Sequence, residues 1–155
     1  MFKPLPFETL RDATGQVTVG WAGDSVIHSK VEGGMSAGLG KRFAEQLHRL
    51  IEHSLKIHYF SDVSALTEYD LLARSAFVRM ALAHRRRFAS FTFLMWPAGV
   101  SDAARAFASA LGEDTELCVD AEEFARKLTR LAPLAKHRLD PASWERTEPH
   151  IRLPR

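Results

Sequence analysis

The stretch Gly34-Met35-Ser36-Ala37-Gly38 matches G-x-S-x-G, the spacing of a nucleophile elbow. Its glycines would let a tight turn lift the Ser36 hydroxyl clear of the backbone. A hydrolytic triad then needs a carboxylate followed by a histidine, and Asp62 and His84 come in that order. A simpler reading makes Ser36 the N-cap of a helix and the glycines its linker. The same segment runs on through Gly40-Lys41-Arg42 and comes close to a phosphate loop. Such a loop would need glycine where Met35 stands and a hydroxyl where Arg42 stands. The G-x-G-x-x-G fingerprint also fails, because Phe43 takes the place of its last glycine. What remains is a helix start with Ser36, Lys41 and Arg42 beside it, a place where an anion could sit. A second cationic cluster, Arg85-Arg86-Arg87 after His84, offers the same chemistry. At a helix C-terminus those arginines would also complement the macrodipole.

Metal chemistry finds less support. The histidines are 28, 48, 53, 58, 84, 137 and 150. A helical metal pair needs i, i+4 spacing, whereas His48 and His53 point in different directions. The single cysteine, Cys118, excludes an intrachain disulfide and a cysteine-based zinc site. No metal and no cofactor is expected.

The elements that must hold these residues follow from periodicity. Val17, Val19 and Trp21 alternate with polar or small residues and predict a strand, turned at Gly23-Asp24 into a second strand over Val26–Val31. Leu39, Phe43, Leu47, Leu50 and Ile51 form one helical stripe. Ile57–Phe60 reads as a buried strand. Thr67-Glu68-Tyr69-Asp70 reads as a capping box opening a helix with Ala73, Ala76, Phe77, Met80 and Ala83 inward and Arg74 and Arg79 outward. Phe88–Trp96 is an aromatic strand. Ser101-Asp102 opens a third helix, closed by Gly112; Thr115–Val119 is a strand, and Asp120 caps a helix that Pro133 stops.

This order predicts an α/β fold: an N-terminal β-hairpin followed by strand–helix units, giving a mainly parallel sheet of about four to five strands flanked by helices. The expected organisation is a lead-in over 1–15, one domain over 16–132 and a tail over 133–155, to which Trp144 gives an aromatic anchor. With 155 residues, 46% hydrophobic, 26% charged and a formal charge of +2, the chain suits one globular domain. Neither its charge nor its aromatic pattern points to nucleic acid. No signal peptide or spanning segment is expected, since Phe88–Val100 is interrupted by polar residues, Pro97 and Gly99. A cytoplasmic protein is the expectation.

Asp62-Val63-Ser64-Ala65-Leu66-Thr67-Glu68-Tyr69-Asp70 resembles the signature of STAS domains, the SpoIIAA-like anti-sigma-factor antagonists, across a strand, a loop and a helix start. Asp62, Ser64, Thr67 and Asp70 fall at the family's spacing, and the element order matches over about residues 16–131. The resemblance implies a small sheet flanked by helices, with the loop before the second helix as the functional surface. Where the family carries Ser-Ser-Gly, this chain has Leu71-Leu72-Ala73, so the phosphorylatable serine is replaced by Leu72 and the phospho-switch is lost. A divergent branch of the fold resembles lipid-binding domains of the CRAL-TRIO type, for which Phe88–Trp96 would line a cavity.

Three functional readings follow. The first is a non-enzymatic regulatory module that binds a protein partner through Asp62, Ser64, Thr67, Glu68, Tyr69, Asp70 and Arg74, with homodimerisation as a further expectation. The second is a domain that binds a lipid or other small apolar or anionic ligand between sheet and helices, its headgroup near Lys41, Arg42 or Arg85–Arg87. The third is a serine hydrolase built on Ser36.

Overall fold

The computed structural model describes residues 7–140. The elements are β1 (Glu8–Arg11), β2 (Gly15–Gly23), β3 (Val26–Met35), α1 (Ala37–Ile51), β4 (Ile57–Tyr69), α2 (Leu71–Ala83), β5 (Phe88–Leu94), α3 (Asp102–Leu111), β6 (Thr115–Cys118), α4 (Ala121–Leu131) and α5 (Ala135–Arg138). The strands form one six-stranded sheet in the order β1-β2-β3-β4-β5-β6. The pairs β1–β2 and β2–β3 are antiparallel, and β3–β4, β4–β5 and β5–β6 are parallel. The α/β architecture predicted from periodicity is therefore present, with one strand more than expected.

That strand is Glu8–Arg11, which lies in the predicted lead-in. It pairs with the open edge of β2 from Glu8↔Val19 to Arg11↔Gln16, and Leu10 packs on the main core. Its four residues are too few to show a period. The β2–β3 turn is Asp24-Ser25, since Gly23 already pairs with Val26. The predicted tail also departs from expectation at its start. Ala135 is buried and Leu139 packs beside it, so α5 belongs to the domain. Trp144 and His150 lie outside the described residues.

The largest departure is at residues 62–69, predicted as a loop and a capping box. They continue β4 instead. Beyond the Asp62↔Leu94 pair, β4 has outrun β5 and pairs with β3 alone, up to Met35↔Tyr69. The register shifts between Lys30 and Glu32 and again between Gly33 and Gly34, so β4 bulges twice. Gly33 sits at φ 79, where an L side chain would be strained, which is why this corner needs glycine. Thr67 is consequently a strand residue, and the cap of α2 is Asp70, whose side chain accepts from the Leu72 N–H at 2.8 Å.

Alternation along the strands sorts the core into two layers. On one face Val17, Val19, Ile27, Val31, Tyr59, Phe91 and Phe93 meet α1, α2 and α3. On the other, Ala22, Val26, Phe60, Leu94 and Cys118 meet Phe124 and Leu128 of α4, then Ala132 and Ala135. Helices α1 and α2 approach closely at Gly40, where an added Cβ would fall 2.4 Å from that of Ala73.

Candidate functional site

The face covered by α1, α2 and α3 does not close completely. At the C-terminal ends of β3, β4, β5 and β6 it leaves a cavity of about 290 Å³, just below the size range of small-molecule sites, roughly 300–1,000 Å³. Open parallel sheets leave their crevices at this end of the strands. The walls are apolar: Val31 and Met35 of β3, Val63 and Leu66 of β4, Phe77 of α2, Phe93 of β5 and Phe107 of α3. The rings of Phe77, Phe93 and Phe107 contact one another at centroid distances of 5.3–6.2 Å and form one aromatic wall. Small residues create the space, namely Gly40 on α1, Ala73 on α2, and Ala103 and Ala104 on α3. Trp96 closes part of the rim. The turn Pro97–Gly99 curls beneath it so tightly that a Cβ on Gly99 would fall 2.5 Å from its ring.

Besides Tyr69 and Ser101 at the rim, two polar features interrupt the apolar lining. The floor carries a hydroxyl network in which Ser29 bonds Tyr59 at 2.6 Å and Ser61 at 2.9 Å. Burial pushes the Tyr59 phenol up to about 12, with the two serine hydroxyls opposing the shift, so it stays protonated. Ser29 and Ser61 face each other across the β3–β4 pair. Sequence reasoning did not single them out, although their inward parity with Ile27 and Tyr59 was readable. At the rim stands Arg74, its guanidinium 5.6 Å from the centroid of the Phe107 ring.

The candidate residues of β4 and α2 are partly brought together here. Tyr69 and Arg74 line the cavity, while Asp70 is committed to capping α2. Asp62 accepts from both the backbone N–H and the hydroxyl of Ser64, at 3.0 and 2.6 Å. Thr67 and Glu68 are exposed on the overhanging end of β4. Beside them Leu71 and Leu72 stand open to solvent, 70% and 68% exposed, and Tyr69 is 44% exposed. Leu72 thus occupies an accessible helix start.

The predicted anion sites are not at the cavity. Ser36 caps α1 by accepting from the Leu39 N–H at 3.0 Å, and it donates to Asp12 at 2.5 Å. Asp12 also accepts from Thr14 and Gly15. These bonds, that from Ser36 first, lower its carboxyl to about 2. Arg42 donates to the Arg11 carbonyl, Arg87 to the Ser54 carbonyl, and Arg85 to the Phe88 carbonyl while facing Asp114. Lys41 and Arg86 are exposed. None of these cations lines the cavity.

The triad imagined from sequence is not assembled. Ser36 is held by Asp12, Asp62 by Ser64, and His84 hydrogen-bonds His48 at 2.9 Å. Burial, then the neighbouring His48 and Arg87, lower the His84 imidazole. Among the described residues one trio of metal-ligating type gathers, Glu116, Cys118 and Glu123. The Lys127 ammonium already bridges both carboxylates. Burial raises the Cys118 thiol, which suits an inert core residue.

No family model matches the chain, and no curated protein does. Among solved structures it is similar to an uncharacterized protein of the DUF3478 family from Shewanella loihica PV-4, described as having a SpoIIAA-like fold. The identity is 14%, the match covers 83% of this chain and 98% of that one, and the TM-score is 0.56. The chain therefore has a SpoIIAA-like fold, in line with the resemblance of residues 62–70 and of the element order. Among the described residues no helix is long and apolar enough to cross a membrane.

Proposed function

We propose that the protein is a non-enzymatic binding domain that holds a small apolar ligand between the sheet and helices α1–α3. The observation that carries this is the cavity, walled by aromatic and aliphatic side chains at the C-terminal ends of the parallel strands. Among the described residues its lining contains no histidine, carboxylate, cysteine or lysine, so they offer no general base beside its hydroxyls. Protein purified under mild conditions should carry an added small-molecule mass in native mass spectrometry. The cavity-filling variant Ala104→Leu should lose it. A bare mass for both proteins, with no thermal shift of the native protein on adding decanol, rejects the reading.

A second reading, a partner-docking surface over residues 62–74, is favoured by the exposed Tyr69, Leu71 and Leu72 at the same end of the molecule. Large apolar side chains clustered at a helix start are costly in water unless something covers them. If Leu71→Ser with Leu72→Ser leaves self-association and every specific protein contact in cells unchanged, that surface is wrong.

A further inference from the structure

Among the described residues Arg74 is the one charged side chain in the cavity lining, and it is half-buried. Among the described residues its guanidinium has no carboxylate and no hydrogen-bond acceptor, only the Phe107 face. Neither acidic residue that caps or begins the adjoining helices forms an ion pair with it. Asp70 accepts from the Leu72 N–H, and Asp102 pairs with Arg105. Two helix N-termini open on the same rim, α2 at Ala73-Arg74 and α3 at Ser101, Ala103 and Ala104. Each carries the positive end of a helix dipole. Among the described residues the charged side chain that lines this apolar chamber is therefore positive and stands at one end, while Asp70 and Asp102 at the helix starts partly offset the dipoles there, so the chamber can select for charge as well as shape.

We infer that the cavity takes a single-chain amphiphile with an anionic head, the head seated on the Arg74 guanidinium and the tail against Phe77, Phe93 and Phe107. This rests on the ligand-binding reading above and adds the head group to it. A carboxylate and a phosphate monoester share the necessary chemistry, since both accept paired N–H bonds from a guanidinium. The small volume suits a short chain.

The test measures binding of decanoate, decyl phosphate, decanol and decylammonium below their micellar concentrations, by calorimetry and by quenching of Trp96 at the rim. Decanoate or decyl phosphate should bind about tenfold more tightly than decanol, and decylammonium more weakly than either. The stronger of the two anions names the head. Arg74→Met should abolish the preference of the anions over decanol. Arg74→Lys should keep part of it, and in the native protein the preference should shrink as salt rises. Equal binding of decanoate, decyl phosphate and decanol, or a preference that survives Arg74→Met, overturns the head-group assignment and leaves the apolar cavity standing. Failure of all four probes to bind removes both.

Discussion

The two faces of the sheet solve the same packing problem differently. Under α4 and α5 the layer is filled: Phe124 meets Phe60 edge-on at 5.5 Å and His28 at 6.2 Å, and Ala132 sits where a Cβ on Gly23 would fall 2.9 Å away. Under α1, α2 and α3 the rings are more numerous, but Gly40, Ala73, Ala103 and Ala104 hold the helices at positions where no side chain fills the centre. Native interiors pack at nearly crystalline density, so an unfilled apolar chamber forgoes dispersion contacts that a larger residue would supply. That cost is borne on the face that opens at the strand ends.

The sharpest way to break this contrast is to truncate one ring on each side. Phe124→Ala should cost about 3–5 kcal/mol in denaturant unfolding, because its site is closed on all sides. Phe107→Ala should cost clearly less, since one of its faces already meets the cavity. Equal losses would mean that the two layers are packed alike.

Acid offers the next test. Burial, opposed by the nearby Asp62 and reinforced by Lys30, lowers His28 on the filled face to about 4 from an ordinary 6.5. The folded state resists protonation there, so this group's contribution is complete above pH 6.5 and is lost as the pH falls towards 4. The loss should approach about 3 kcal/mol. His28→Leu should flatten the stability profile over that window. Asp12 titrates lower: its bonds stabilise the fold above about 3.8 and are lost as the pH falls through about 2, a separable second limb. If His28→Leu keeps the drop between 6.5 and 4, the filled face is not its source.

Enlarging a small residue gives the finest comparison. Ala132→Leu, on the filled face, should destabilise by about 1–3 kcal/mol through overpacking. Ala104→Leu should fall within about 1 kcal/mol of the native protein in thermal melts, because its new atoms enter existing space. If Ala104→Leu proves as damaging as Ala132→Leu, the chamber is not available volume.

Periodicity made the architecture readable because each helix and most strands bury one face. The stripe from Leu39 to Ile51 and the alternation of Val17, Val19 and Trp21 leave little choice of partner. Caps were equally legible: Ser36, Ser101 and Asp120 each accept from an N–H two or three residues on. Residues 62–69 were not, since an overhanging strand paired on one side and bulged twice has no clean alternation, and Ser64, Thr67 and Glu68 look like a loop. The cavity was illegible for a different reason. Emptiness is contributed by small residues on three separate helices, and nothing local marks an alanine that faces a void. Arg74 was singled out for its place beside the signature, whereas Lys41, Arg42 and Arg85–Arg87 were favoured as headgroup cations because they cluster along the chain rather than in space.

Strand order that follows chain order has a consequence for synthesis. Each strand finds its neighbour already made, so the sheet can grow outward from the β2–β3 hairpin without waiting for a distant segment. The roof of the chambered face, α1 to α3, is complete by Leu111, while the opposite face waits for α4 and α5. Until they arrive, Val26, Phe60 and Leu94 stand bare on a growing nascent chain, which makes the tightly packed side of the finished protein the sticky side of the unfinished one.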